Sequence, residues 1–285
     1  MIKPERNPKR EWSGMKQTHF ILLAVATTAF ALAVHARTGK EPTYNGRPLS
    51  FWVEENWLGG PNEAQGLRTI GTNAFPFLLN WIKGELPLKL PELPDTHNFA
   101  DATTRVFEAL GDDAGPLVPE LTRLANDPTS PEVAERCLQA LAWMGNKGVP
   151  SLLAAVRNPK HPYRGRATFV LGATRARGPE ADAVVTQLVA AMSDGSINGA
   201  AAHALGELKL RPDIAVPALS AGLTNGAPNF RAICATSLIW FGARAEPALP
   251  RLTNAFNDAD ADVRQAASNA AWTIRNEVRK QQLRQ

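Results

Sequence analysis

The tightest constraint on this chain is a phrase that it writes four times: Gly, any two residues, Ala or Gly, any residue, Pro. The copies are Gly71 to Pro76 (GTNAFP), Gly111 to Pro116 (GDDAGP), Gly145 to Pro150 (GNKGVP) and Gly242 to Pro247 (GARAEP). Two degenerate copies fill the gap, Gly178 to Ala183 (GPEADA) and Pro212 to Pro217 (PDIAVP). Successive starts lie 40, 34, 33, 34 and 30 residues apart. A period in this range is the mark of a stacked repeat array.

The phrase reads physically as a hinge between two helices. Gly follows an apolar helical run such as ERCLQALAWMG and can take the left-handed conformation that closes a helix. The small residue lets two helices approach. Pro then opens the next helix, where its missing N–H costs nothing. Where a second Pro follows, at Pro119 and Pro250, the helix proper is predicted to start near it. Leu117, Leu121 and Leu124, and then Leu249, Leu252 and Phe256, recur at one-face helical spacing. The first helix of a unit has its own start signal, as in Ser130-Pro131-Glu132 and in the Asp260 and Asp262 that precede VRQAA. Twenty-two prolines and 21 glycines point the same way, to many short helices.

With the Asn/Asp turn, DVRQAA (Asp262–Ala267), the ALG of Ala109–Gly111 and Ala204–Gly206, and the Gly-to-Pro hinge, the chain resembles HEAT-repeat proteins of the short, bacterial, PBS-lyase type. The resemblance spans about residue 61 to the C-terminus. The lead-in YNGRPLSFWVEENWL resembles the segment preceding such arrays in exported bacterial members. It implies an all-α fold: a right-handed α-solenoid of about six to seven HEAT-like helix pairs. The expected organisation is 1–36 signal peptide or membrane anchor, 37–60 linker and N-terminal capping helix from about Leu49, and 61–285 the array. A tetratricopeptide array shares the period but its Trp-Leu-Gly-Tyr spacing is absent. GELPLKLPELPDTHN (Gly84–Asn98), with Pro87, Pro91 and Pro94, reads as an extended loop.

Residues 18–36 carry no Lys, Arg, Asp or Glu, follow a basic stretch and end in Val34-His35-Ala36. Their apolar heart, Phe20 to Val34, is shorter than the about 20 residues of a membrane span. A cleaved signal peptide is the reading, with an uncleaved anchor as the alternative. The start is Met1 or Met15. Export to the periplasm or cell envelope follows, with membrane contact only through residues 18–36 if they are retained. Residues 1–36 hold five basic and two acidic side chains; the rest, 26 basic against 25 acidic, is nearly neutral. No nucleic-acid partner is expected.

The chemistry-bearing patterns are few. No H-E-x-x-H, C-x-x-C, G-x-S-x-G or Walker loop occurs, so no metal, cofactor or catalytic residue is assigned. Asp258, Asp260 and Asp262 imitate a calcium loop, but Val263 and Asn269 stand where Gly and Glu are needed, so a turn and helix cap is the reading. Cys137 and Cys234 hold equivalent repeat positions roughly 30 Å apart, given helix diameters of about 10 Å. They are expected to be free and buried. Trp143 and Trp240, each two before a hinge Gly, are expected to pack in the core.

Charge is segregated. Residues 91–135 contain ten acids and two Arg, and residues 136–179 eight Lys/Arg and no acid. The basic block includes Arg157, Lys160, Arg164, Arg166, Arg175 and Arg177. Lys83, Arg123 and Arg157 each fall seven after the hinge Pro. The resemblance places second helices on the concave surface, where these three would form a ladder. Together these residues are the expected binding surface for protein partners, acidic ones first, against the alternative of simply solvated cations. The function expected is a non-enzymatic interaction scaffold in the cell envelope. The alternatives are a bilin lyase-like or DNA glycosylase-like enzyme on the same fold, or a membrane-tethered structural element.

Overall fold

The computed structural model describes residues 40–58, 63–85 and 96–284. The leader and most of the proline-rich loop lie outside these. Helix α1 is Leu49–Leu58. Six helix pairs follow: α2 Glu63–Ile70 with α3 Phe75–Ile82, α4 Thr96–Leu110 with α5 Val118–Ala125, and α6 Pro131–Trp143 with α7 Val149–Arg157. Next come α8 Arg164–Val170 with α9 Pro179–Ala191, α10 Asn198–Leu208 with α11 Pro212–Gly222, and α12 Pro228–Ile239 with α13 Leu249–Asn254. Helix α14, Ala261–Gln282, closes the array. First helices stack directly on first helices of the next pair, α4 on α6, α8 on α10, α10 on α12 and α12 on α14. The result is an all-α solenoid with one continuous core.

The hinge behaves as its residues dictate. Gly71, Gly111, Gly145 and Gly242 all sit at φ between 53° and 60°. This left-handed region strains a residue with a Cβ by about 1–2 kcal/mol. A 3₁₀ turn carries the chain from each of these glycines into the second helix. Pro76, Pro119, Pro150 and Pro250 occupy the first turn of α3, α5, α7 and α13. Pro116 and Pro247 lie within the 3₁₀ turns, so α5 and α13 start beside the second proline. Leu117, Leu121, Leu124 and Leu252 are buried, each contributing about 1.5–3 kcal/mol. Leu249 and Phe256 are half-buried at the core edge.

Two hinges depart from the phrase. Gly178 does not close α8. It precedes Pro179 at φ 61°, ψ −139°, opening α9 after the extended residue Thr174. In the fifth pair no glycine is available, and Lys209 (φ 56°) and Arg211 (φ 44°) occupy the left-handed region themselves. Arg211 is held there by Asp213 at 2.8 Å and Asp182 at 2.9 Å.

The turns between pairs also repeat. The amides of Thr129, Lys160, Ser196 and Asp260 donate to the side chains of Asp127, Asn158, Asp194 and Asp258 at 2.9–3.0 Å. Asp260 then caps α14 through the amides of Asp262 and Val263, which gives the aspartate triplet its structural role. Ser130 stands at the start of α6 but makes no capping bond with its side chain. Cys137 and Cys234 are free and fully buried, and burial pushes both thiols up to about 12.

Two further features differ from the sequence reading. Thr96, His97 and Asn98 belong to α4 rather than to the preceding loop. A two-stranded hairpin, Thr43–Tyr44 with Arg47–Pro48, precedes α1. Asn45 and Gly46 both take positive φ in its turn.

His161 latches neighbouring turns together. Its Nδ1 accepts the Tyr163 amide at 3.1 Å, so Nε2 carries the proton and donates to Asn126 Oδ1 at 2.6 Å. The Tyr163 hydroxyl donates to the Asp127 carbonyl at 3.2 Å. Burial lowers the His161 pKa, so the unfolded chain binds the proton more readily. The latch therefore contributes stability above the ordinary histidine pKa of about 6.5, and that contribution is lost as pH falls below it. Urea unfolding at pH 7.5 and 5.5 should show a wild-type stability loss that His161→Gln largely removes.

Gly148 occupies the small-residue position of its hinge. A Cβ there would lie 1.9 Å from the Leu141 carbonyl oxygen. Gly165, inside α8, has open space around the same atom. Gly148→Ala should destabilise by about 3 kcal/mol or more, while Gly165→Ala should stabilise by about 0.5–1 kcal/mol. Thermal melts of the two variants check this.

Candidate functional site

The segregated charge blocks meet in space. The first helices and their hinge loops bring residues one or two repeats apart side by side, so acids of one repeat face cations further along the stack. Arg136 pairs with Asp101 at 3.1 Å, Arg166 with Glu135 at 2.7 Å, and Arg175 with Glu108 at 2.8 Å. Asp101, Glu108 and Glu135 of the acidic block are thus paired with the basic one within the same molecule.

The eight cations singled out from sequence fall into four environments. Lys83, Arg123 and Arg157 lie at the C-terminal ends of α3, α5 and α7, where cations favour the helix dipole. Lys83 lies 4.0 Å from Glu120, and Arg123 binds Glu120 at 2.8 Å, which lowers the Glu120 pKa. Arg157 donates to Gln187 at 2.7 Å. Lys160 is exposed on the turn after α7.

Arg164 turns inward. It donates to the Val156 carbonyl at 2.7 Å and to Asp194 at 2.5 Å, bracing the turn at the end of its own repeat. The Ser196 hydroxyl, Arg164 and the Ser196 amide hold Asp194 down to about 2. Arg231 makes the equivalent clasp on Asp258 two repeats later, at 2.7 Å. The clasp is a repeat feature.

Arg166, Arg175 and Arg177 remain on the outer side of the first helices and their hinge loops. Arg175 and Arg177 enter a cleft of about 750 Å³, together with Arg68, Arg105, Glu108, Asp112 and Trp143. Its walls come from four successive repeats. Arg68 is oriented by the Ala109 carbonyl, which accepts its Nε–H at 2.8 Å. Asn146 grips the Arg177 backbone, accepting its amide at 2.8 Å and donating to its carbonyl at 3.3 Å, which fixes the loop. The Arg175 guanidinium lies 5.3 Å from the centre of the Trp143 ring. Four guanidinium groups against two carboxylates, with one apolar ring, suit an anionic group carried on an apolar stem.

The tryptophans are less buried than their repeat positions led us to expect. Trp143 is half-buried and lines the cleft, while Trp240 is 48% exposed with the Lys209 ammonium 4.8 Å from its ring centre. The equivalent residue positions do share an environment, but it is the outer edge of the stack. Phe169, Trp240 and Trp272, the exposed large aromatics among the described residues, all lie on or beside first helices. Arg68 and Arg105 were not singled out from sequence. Their signal was their place on first helices close to hinge glycines, which has meaning only once the repeats are stacked.

Comparison with known proteins bears on the architecture. A family model of HEAT repeats matches residues 181–272. Among solved structures, an engineered protein from a structural genomics consortium is 19% identical, covering 70% of this chain and 97% of its own, at a TM-score of 0.42. Human deoxyhypusine hydroxylase in complex with glycerol is 19% identical, covering 89% and 98%, at 0.38. A designed armadillo repeat protein is 14% identical, covering 69% and 99%, at 0.38. No curated protein sequence matches the chain.

The inward and outward arginines should separate on mutation. Arg175→Ala removes an exposed pair and should change stability by less than about 1 kcal/mol. Arg164→Ala should cost clearly more in a urea titration, because it removes the side-chain donor to the Val156 carbonyl and to one carboxylate oxygen of Asp194. The chain is an all-α repeat solenoid in which residues 181–272 match HEAT repeats.

Proposed function

We propose that this chain is a non-enzymatic scaffold of the cell envelope that binds a protein partner through an acidic segment. The observation that carries this reading is the cleft around Trp143, which arginines from three repeats line together, with Arg175 on the ring itself. A repeat array offers a long surface made of many equivalent positions, which suits recognition of another polypeptide. Arg175 and Arg177 are the contacts of first rank. Arg166 extends the basic edge, and Lys83, Arg123, Arg157 and Lys160 supply a second, weaker basic edge at the ends of the second helices. Arg164 contributes by bracing the turn. The envelope setting rests on the leader at residues 18–36, whose cleavage would release the array.

Exposed ion pairs such as Arg175–Glu108 contribute less than about 1 kcal/mol, so a partner carboxylate can displace Glu108 at little cost. Binding should weaken with salt, because the attraction is screened beyond about 8–10 Å at physiological ionic strength. The test is affinity capture from the native cells with the wild-type chain and an Arg175→Glu/Arg177→Glu variant. The variant should lose its salt-sensitive partner while keeping wild-type helicity. An unchanged set of partners in the variant would overturn the proposal.

A further inference from the structure

The cleft at Trp143 has a counterpart three repeats along the stack. Trp143 and Trp240 both stand two residues before a hinge glycine. Each ring carries a cation, and those cations are themselves equivalent: Arg175 stands three residues after Gly172, and Lys209 three after Gly206. The two tryptophans belong to the flanking first helices α6 and α12, and the two cations follow the central helices α8 and α10. Between them Phe169 of α8 stacks on His203 of α10, with ring centres 4.8 Å apart and planes 20° apart. Phe169 is 37% exposed, and the Arg166 guanidinium lies 5.2 Å from its ring centre. The outer face of the first helices is thus nearly symmetric about the α8–α10 junction, with an aromatic platform at the centre and a cation-bearing tryptophan at either end.

The spacing selects the shape of a ligand. Packed helices lie about 8–10 Å apart, so each tryptophan is about 12–15 Å from the central platform. Four residues of β-extended chain span about 13 Å, and residues i, i+4 and i+8 of such a chain point to the same side. A polyproline helix turns by a third of a circle per residue, so its i+4 side chain points elsewhere. An α-helix would need about eight or nine residues for each step, which places successive contacts on different faces.

We propose that this face holds an extended segment of a partner protein, about nine residues long, with a carboxylate at each end and an apolar side chain in the middle. The terminal carboxylates meet Arg175 and Lys209 beside the tryptophan rings, and the middle side chain rests on the Phe169–His203 platform. Lys209 has no acidic partner among the described residues, so its station is open. At Arg175 the ligand displaces Glu108. This inference rests on the scaffold reading above, and adds the conformation and the charge pattern of what is bound.

The test uses two capped synthetic peptides of one composition, Glu-Ser-Thr-Ser-Leu-Ser-Thr-Ser-Glu and Ser-Ser-Glu-Thr-Leu-Thr-Glu-Ser-Ser, titrated against the full chain by calorimetry. The first should bind about tenfold more tightly than the second, and should lose about tenfold with Lys209→Gln or with Arg175→Gln, the size expected for one charged contact. Phe169→Ala should weaken both peptides. Each variant is accepted only with wild-type circular dichroism. If both peptides bind equally and only Arg175→Gln weakens them, the Trp143 cleft acts alone: the extended-segment inference falls while the scaffold reading stands. If neither peptide binds at about 1 mM, or if sedimentation shows that a second copy of the chain covers this face and Trp240→Ala releases it, the inference is likewise overturned.

Discussion

The sharp reversal inside each helix pair is the constraint from which the rest of this molecule follows. A residue must leave the first helix in the left-handed region, and glycine does so at the four full copies of the phrase. The residue three later must be small, because the returning helix passes close to the first. Ala74, Ala114 and Ala245 are fully buried there, and at Gly148 even a methyl group would strike the backbone. Proline then starts the second helix with its φ already set. Neither helix of a pair can bury its apolar face alone, so stability comes from stacking on neighbours, and one core runs through the described repeats.

Stacking also changes what the charges mean. In the sequence, a block of acids precedes a block of cations, and the two look like separate surfaces. Stacked one or two repeats apart, they become partners: Asp101 with Arg136, Glu135 with Arg166, Glu108 with Arg175. Other cations are spent on the turns, where Arg164 and Arg231 hold Asp194 and Asp258. What remains for a partner is a sparser set of cations on the outer edge of the first helices, several of them lying on aromatic rings. A cation held over an exposed ring presents charge and apolar surface together, a combination matched by a carboxylate on a short apolar stem.

Much of the architecture was legible in the residues. The hinge glycines, the helix-opening prolines, the buried leucines of α5 and the two free thiols all obey local rules that a sequence states directly. The hairpin before α1 has a legible signal too, since Asn45-Gly46 is a strong short signature of such a turn, but its two-residue strands are slight beside the helical pattern. The site was less legible. That Arg164 faces a turn while Arg175 faces a ring depends on residues some 30 positions away, and helical periodicity carries no information about them. Gly178 shows the same limit: the glycine is plain in the sequence, but whether it ends one helix or begins the next depends on how far α8 runs. Burial preferences place a tryptophan such as Trp240 inside; it sits at the edge, with the Lys209 ammonium against its ring.

The central claim is that hinged helix pairs pile into one elongated stack rather than folding into a ball. Small-angle X-ray scattering of the array tests it most directly. A compact globule of this length has a radius of gyration of about 18–19 Å. The stack should give a clearly larger value with a distance distribution skewed to long vectors; a value at the globular figure with a symmetric distribution would contradict it.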